Sequence, residues 1–111
     1  MAELEHPAAD TLQLTAVLFA LSDPARLAIV RQLAAPEQAL TCQSVAPEMP
    51  KSTRSHHLKV LREAGVTRAV QAGRERLLTL RSGDLDARWP GLLAAVLTDA
   101  PDARPDMAIA R

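Results

Sequence analysis

The chain has 111 residues, which fits one compact domain and leaves little room for a second. Apolar residues make up 48% of it, which excludes a disordered or fibrous chain, while aromatics are only 2%, Phe19 and Trp89, so any core must be built from Leu, Val, Ile and Ala. The formal net charge is zero, which on its face argues against nucleic acid as a partner. The distribution argues the other way. Between Lys51 and Arg81 stand eight basic and two acidic residues, and the rest of the chain carries five basic and eleven acidic ones. A +6 block spliced into a −6 chain is what a DNA-contacting subregion looks like, though a solvated Arg-rich surface has the same count.

No apolar run approaches the roughly 18–20 residues that span a bilayer. The stretch Met1-Ala-Glu-Leu-Glu-His-Pro7 is acidic and lacks the basic start and apolar run of a signal peptide, so a cytoplasmic location is expected. A single cysteine, Cys42, excludes an internal disulfide framework.

The first helix is expected from about Ala9 to Leu21, with apolar residues on nearly every side, which calls for burial on more than one face. Ser22-Asp23-Pro24 breaks the chain and restarts it, with Asp23 as N-cap and Pro24 at the first helical position. The second helix runs to about Ala35, with Leu27, Val30 and Leu33–Ala34 inward and Arg26 and Arg31 outside. Thr41 suits the cap of a short third helix, about Cys42 to Glu48, and Met49-Pro50 closes it. A fourth helix, Lys51 to Ala64, ends at Gly65, where a C-terminal glycine belongs. Val66 to Arg81 reads as two short strands turning at Gly73, a β-hairpin. A last helix, about Leu85 to Asp99, is again apolar all round and is interrupted or restarted at Pro90-Gly91. The expected architecture is mostly α with a small β-hairpin, a winged helix-turn-helix in one domain over residues 9–99, with loose tails at 1–8 and 100–111. The first and last helices offer more apolar surface than one small domain covers. A shared interface between two copies is the simplest outlet, and packing of both on the domain core is the other.

The fourth helix carries the functional signal. Leu58, Leu61 and Ala64 recur at i, i+3 and i+6 and face inward, while Ser52, Ser55, His56 and Lys59 share an outward face. His, Lys and Arg donate to guanine acceptors in the major groove, and Ser serves as donor or acceptor. Base contacts concentrate at the N-terminal end of a recognition helix. An ordinary amphipathic helix with a solvated polar face shows the same pattern. The hairpin that follows favours the DNA reading, because Arg74 and Arg76 at its tip are suited to phosphates or a narrow minor groove.

Leu21-Ser-Asp-Pro-Ala-Arg-Leu-Ala-Ile-Val30, Ser55-His-His-Leu-Lys-Val-Leu-Arg-Glu-Ala-Gly-Val66 and the Gly73-Arg74 hairpin together resemble the ArsR-type winged-helix repressors of bacteria, over about residues 11–97. The resemblance implies a homodimer joined through the first and last helices, with the fourth helix in the major groove of an inverted-repeat operator. It also implies repression relieved by an inducer. Carried over by position, the base readers are Ser52, Thr53, Ser55 and His56, and the wing contacts are Arg74 and Arg76. Lys51 and Lys59 complete the expected DNA-binding set. Arg54 stands where the family usually has an apolar residue.

Metal-sensing members carry a Cys-x-Cys pair at the start of the third helix, whereas Leu40-Thr-Cys-Gln-Ser-Val45 holds one cysteine. Others bind zinc through Asp and His on the last helix, and no histidine follows His57 here. Neither a metal nor another cofactor is therefore expected, and the inducer is unspecified. Cys42 is either a thiol sensor of oxidants or electrophiles, its thiolate favoured by a helix N-terminus, or a small buried apolar side chain. No nucleotide-binding loop, nucleophilic triad or paired carboxylates point to an enzyme. A protein-interaction module that has lost DNA binding is the remaining alternative.

Overall fold

The computed structural model describes residues 2–3, 6–35 and 40–98. Its helices are α1 (Leu14–Leu21), α2 (Pro24–Ala34), α3 (Lys51–Ala64), α4 (Ser82–Arg88) and α5 (Leu92–Thr98). Its strands are β1 (Ala2–Glu3), β2 (Leu40–Thr41), β3 (Thr67–Ala72) and β4 (Glu75–Leu80). They form one antiparallel sheet in the order β1-β3-β4-β2. The architecture is a winged helix-turn-helix, with the expected hairpin widened by a two-residue strand on each side.

The hairpin keeps an uninterrupted register from Thr67↔Leu80 to Ala72↔Glu75. Gly73 takes φ +64 at the first of the two connecting positions, which a type II′ turn reserves for glycine. The expected tail over 1–8 partly meets this sheet: Ala2 and Glu3 pair with Gln71 and Val70, and the Ala69 N–H donates to His6 Nε2 at 2.9 Å. Residues 100–111, expected as the other tail, lie outside the described residues.

Asp23 and Pro24 start α2 as expected. The Ala25 and Arg26 N–H groups donate to Asp23 Oδ1 at 2.8 and 3.1 Å. These bonds, chiefly the one from Arg26, hold the Asp23 carboxyl below its ordinary range. Gly65 ends α3 at φ +86, with its N–H and that of Val66 donating back to Arg62 and Leu61 carbonyls. A Cβ at Gly65 would also collide with Leu12, which lies against the end of the helix.

Four expectations change. The first helix is shorter: a 3-10 turn at Ala9–Thr11 precedes extended backbone at Leu12 and Gln13, and α1 begins at Leu14. The third helix does not form. Thr41 does cap, accepting at Oγ1 from the Gln43 and Ser44 N–H groups at 3.2 and 3.1 Å, and Val45 N–H closes one turn on the Thr41 carbonyl. Ala46 then swings to φ +47 and Pro47 has no N–H to give, so 42–49 is a run of turns. The last helix starts earlier, at Ser82 rather than about Leu85, and is interrupted where expected, at Pro90-Gly91, with Gly91 at φ +87. Finally, the inward stripe of α2 is Arg26, Ile29 and Val30 with Leu33 half-buried, so Arg26 belongs inside and Ala34 is exposed.

The core is aliphatic. Val17, Ile29, Val30, Val45, Leu61, Val66 and Leu85 are essentially inaccessible, and they join α1, α2, the turn run, α3, the foot of the hairpin and α4. On α1, by contrast, Leu14, Leu18 and Phe19 remain 40%, 44% and 63% exposed.

Candidate nucleic-acid interface

The fourteen residues of α3 divide cleanly by period. Leu58, Leu61 and Ala64 are buried, as expected, and fix the helix on the core. Lys51, Ser52, Thr53, Ser55, His56 and Lys59 are all exposed. Its first turn presents two hydroxyls and an ammonium group with no apolar residue to hold the backbone away from a partner. Pro50 precedes it without a side-chain cap, leaving the helix's first N–H groups open to an anion.

The orientation of α3 is fixed by a residue the sequence placed outside. Arg26 is 6% exposed, and its guanidinium joins three helices. Nε donates to Ala20 O at 2.8 Å and Nη2 to Phe19 O at 3.3 Å, satisfying two carbonyls at the C-terminal end of α1. Nη1 donates to His57 Nδ1 at 3.1 Å, on α3. The guanidinium also lies 5.2 Å from the centroid of the Phe19 ring. A readable signal was present: positions 26, 29, 30 and 33 keep the i, i+3, i+4, i+7 spacing of a buried stripe, with an arginine at its head. His57, adjacent to His56 but turned from it, is thereby occupied inside, while His56 is free to face outward.

The wing tip carries Arg74, Glu75 and Arg76, all exposed. Arg76 is steadied by Gln71, whose Oε1 accepts from Arg76 Nε at 3.3 Å, and Gln71 Nε2 donates to Gly73 O at 2.9 Å. Between the wing and α3, from Lys51 to Arg62, lies a cleft of about 350 Å³. Other members of the basic block serve the scaffold. Arg81 is buried, with Nε on Asp84 Oδ2 at 3.0 Å and Nη1 on Pro7 O at 2.9 Å.

Cys42 is half-buried and lines that cleft, its N–H donating to Arg76 O at 3.0 Å. The helix N-terminus expected to favour its thiolate is missing, because 42–49 is turns. Burial pushes the thiol up, and the nearby guanidiniums of Arg76, Arg62 and Arg54 oppose that. Among the described residues no cluster of three metal-ligating side chains forms, and no helix is long and apolar enough to cross a membrane.

Comparison with known proteins agrees with this geometry. A family described as "Helix-turn-helix domain" matches residues 21–70, from the end of α1 into β3. An uncharacterized HTH-type transcriptional regulator of Bacillus subtilis (strain 168), YceK, is 39% identical over 84 residues, which is 73% of this chain and 84% of the relative. A crystal structure of an ArsR family transcriptional regulator superposes with a TM-score of 0.60 at 20% identity, covering 96% of this chain and 99% of that one, so the two share a fold. Both are described as transcriptional regulators. The chain belongs to the helix-turn-helix-type transcriptional regulators.

Proposed function

We propose that the chain is a homodimeric repressor of the ArsR type that grips an inverted-repeat operator and releases it when an inducer binds. The observation that carries the reading is the exposed polar front of α3 flanked by the Arg74–Arg76 wing. In this reading Ser52, Thr53, Ser55 and His56 meet base edges in the major groove. Lys51, Lys59, Arg74 and Arg76 meet phosphates, which position the protein without specifying sequence. Dimerisation is supported by α1, where Leu14 and Leu18 stand one turn apart, 40% and 44% exposed, beside Phe19 at 63%. An apolar stripe of this kind is the surface a two-fold partner covers. The two α3 helices would then address half-sites about 34–36 Å apart.

The test is binding of the purified chain to the DNA upstream of its own gene, with a footprint, a salt titration and sedimentation in parallel. The expected result is protection of an inverted repeat by a dimer, with affinity falling steeply as salt rises because phosphate contacts release counterions. A monomer with no affinity for that DNA at low salt overturns the reading.

A further inference from the structure

We propose that the cleft between α3 and the wing is a pocket for a free, compact polyanion, a diphosphate or a small molecule of similar charge, and that filling it competes with DNA. Competition with DNA rests on the function proposed above, whereas anion binding does not.

The cleft is ringed by Lys51, Arg54, Arg62, Arg74 and Arg76, against one carboxylate, Glu75. Its volume of about 350 Å³ lies at the small end of ligand pockets, roughly 300–1,000 Å³. Two of these cations are placed differently from the DNA-facing set. Arg54 and Arg62 stand one turn before and one turn after Leu58, which is 7% exposed. They therefore follow the inner stripe of α3 and are half-buried, while Ser52, Ser55, His56 and Lys59 follow the outer one.

Among the described residues neither Arg54 nor Arg62 has a carboxylate within ion-pair reach. Arg62 Nε is buried and has no hydrogen-bond acceptor there. A buried donor without a partner is costly, and an acceptor that the Arg62 side chain turns to meet would recover that cost. Guanidinium forks match phosphoryl oxygens in pairs. A neutral or monoanionic ligand would leave most of this charge unmatched. Cys42 lines the cleft close to three of the guanidiniums, so its thiol reports on whether they are neutralised.

The experiment titrates the full chain with inorganic pyrophosphate against sodium chloride at matched ionic strength. It reads three signals: heat of binding, the rate of Cys42 alkylation by iodoacetamide, and release of bound operator DNA. Pyrophosphate is expected to bind, to slow alkylation several-fold, and to release DNA well beyond the chloride control. Arg62→Gln and Arg54→Gln should each abolish the pyrophosphate response while retaining operator binding. Glu75→Gln, an exposed change with little risk to folding, should tighten pyrophosphate binding. Equal responses to pyrophosphate and chloride overturn the proposal, even where DNA binding is intact. Loss of operator binding in Arg62→Gln, with no response to free pyrophosphate, also overturns it and makes the cleft a seat for a DNA phosphate. Pyrophosphate binding by a chain that ignores DNA leaves the pocket standing and defeats the function proposed above.

Discussion

Arginine does opposite work at the wing tip and at the junction of α1 with α2. Arg74 and Arg76 are exposed, on a two-residue turn, with only Gln71 steadying the second of them. Arg26 is 6% exposed, has all its reach committed to Phe19, Ala20 and His57, and touches three helices at once. The first pair keeps its charge available for a partner. The second spends it on two carbonyl groups at the end of α1 and on holding the inner side of α3. A count of basic residues treats these as equals. What separates them is whether the side chain leaves from an apolar stripe or from a hairpin tip.

This contrast is breakable. Arg26→Met keeps the bulk and removes the donors, leaving Ala20 O buried and unmet, and should cost on the order of 3 kcal/mol in urea denaturation. A fully stable Arg26→Met chain would mean that the junction is held by packing alone. His56→Ala should leave stability unchanged and relax sequence preference by about 1–3 kcal/mol in competition between operator and mutated sites. Uniform weakening on every sequence would move His56 from base reader to phosphate contact. The neighbouring His57→Ala sharpens the contrast, since it should destabilise the fold.

Asp23→Ala removes the α2 cap and should cost about 0.5–2 kcal/mol. Because the folded carboxyl titrates below its ordinary value of about 3.9, its contribution is complete above that pH and is lost as pH falls through the folded value. An acid denaturation midpoint that does not move in Asp23→Ala would remove this assignment. Smallest in stability terms is Arg74→Ala, within about 0.5 kcal/mol, since its side chain is exposed. It should weaken binding to all DNA alike and reduce the salt slope by about one charge. A change in sequence preference instead would put Arg74 in a groove rather than on a phosphate.

Much of this was legible where local chemistry and period agree. The Asp23-Pro24 start, the Leu58-Leu61-Ala64 stripe, the Gly65 stop and the Gly73 turn each need only a few adjacent residues, and each stands as read. Legibility failed where distant residues decide. The cap at Thr41 forms as read, but the helix expected after it does not, because Ala46 turns to φ +47 and Pro47 has no N–H to continue the turn. Strands β1 and β2 are two residues long and exist only because the hairpin offers them edges, which no short window contains. In the candidate interface, the outward face of α3 was visible from spacing. The inner row of Arg54 and Arg62 was not, because its meaning depends on the wing folding across it.

The break between α4 and α5 has an optical consequence. Trp89 sits in it, half-buried, with the Arg88 guanidinium 5.0 Å from its ring. The chain has no tyrosine and no second tryptophan, so excitation at the red edge has a single origin. Emission from this protein therefore reports on the surroundings of Trp89, where the junction of α4 and α5 meets the core. A partner settling on α5 should shift it, while events confined to α3 and the wing should leave it unchanged. Contact on α5 and contact on α3 become separable in one cuvette, without a label.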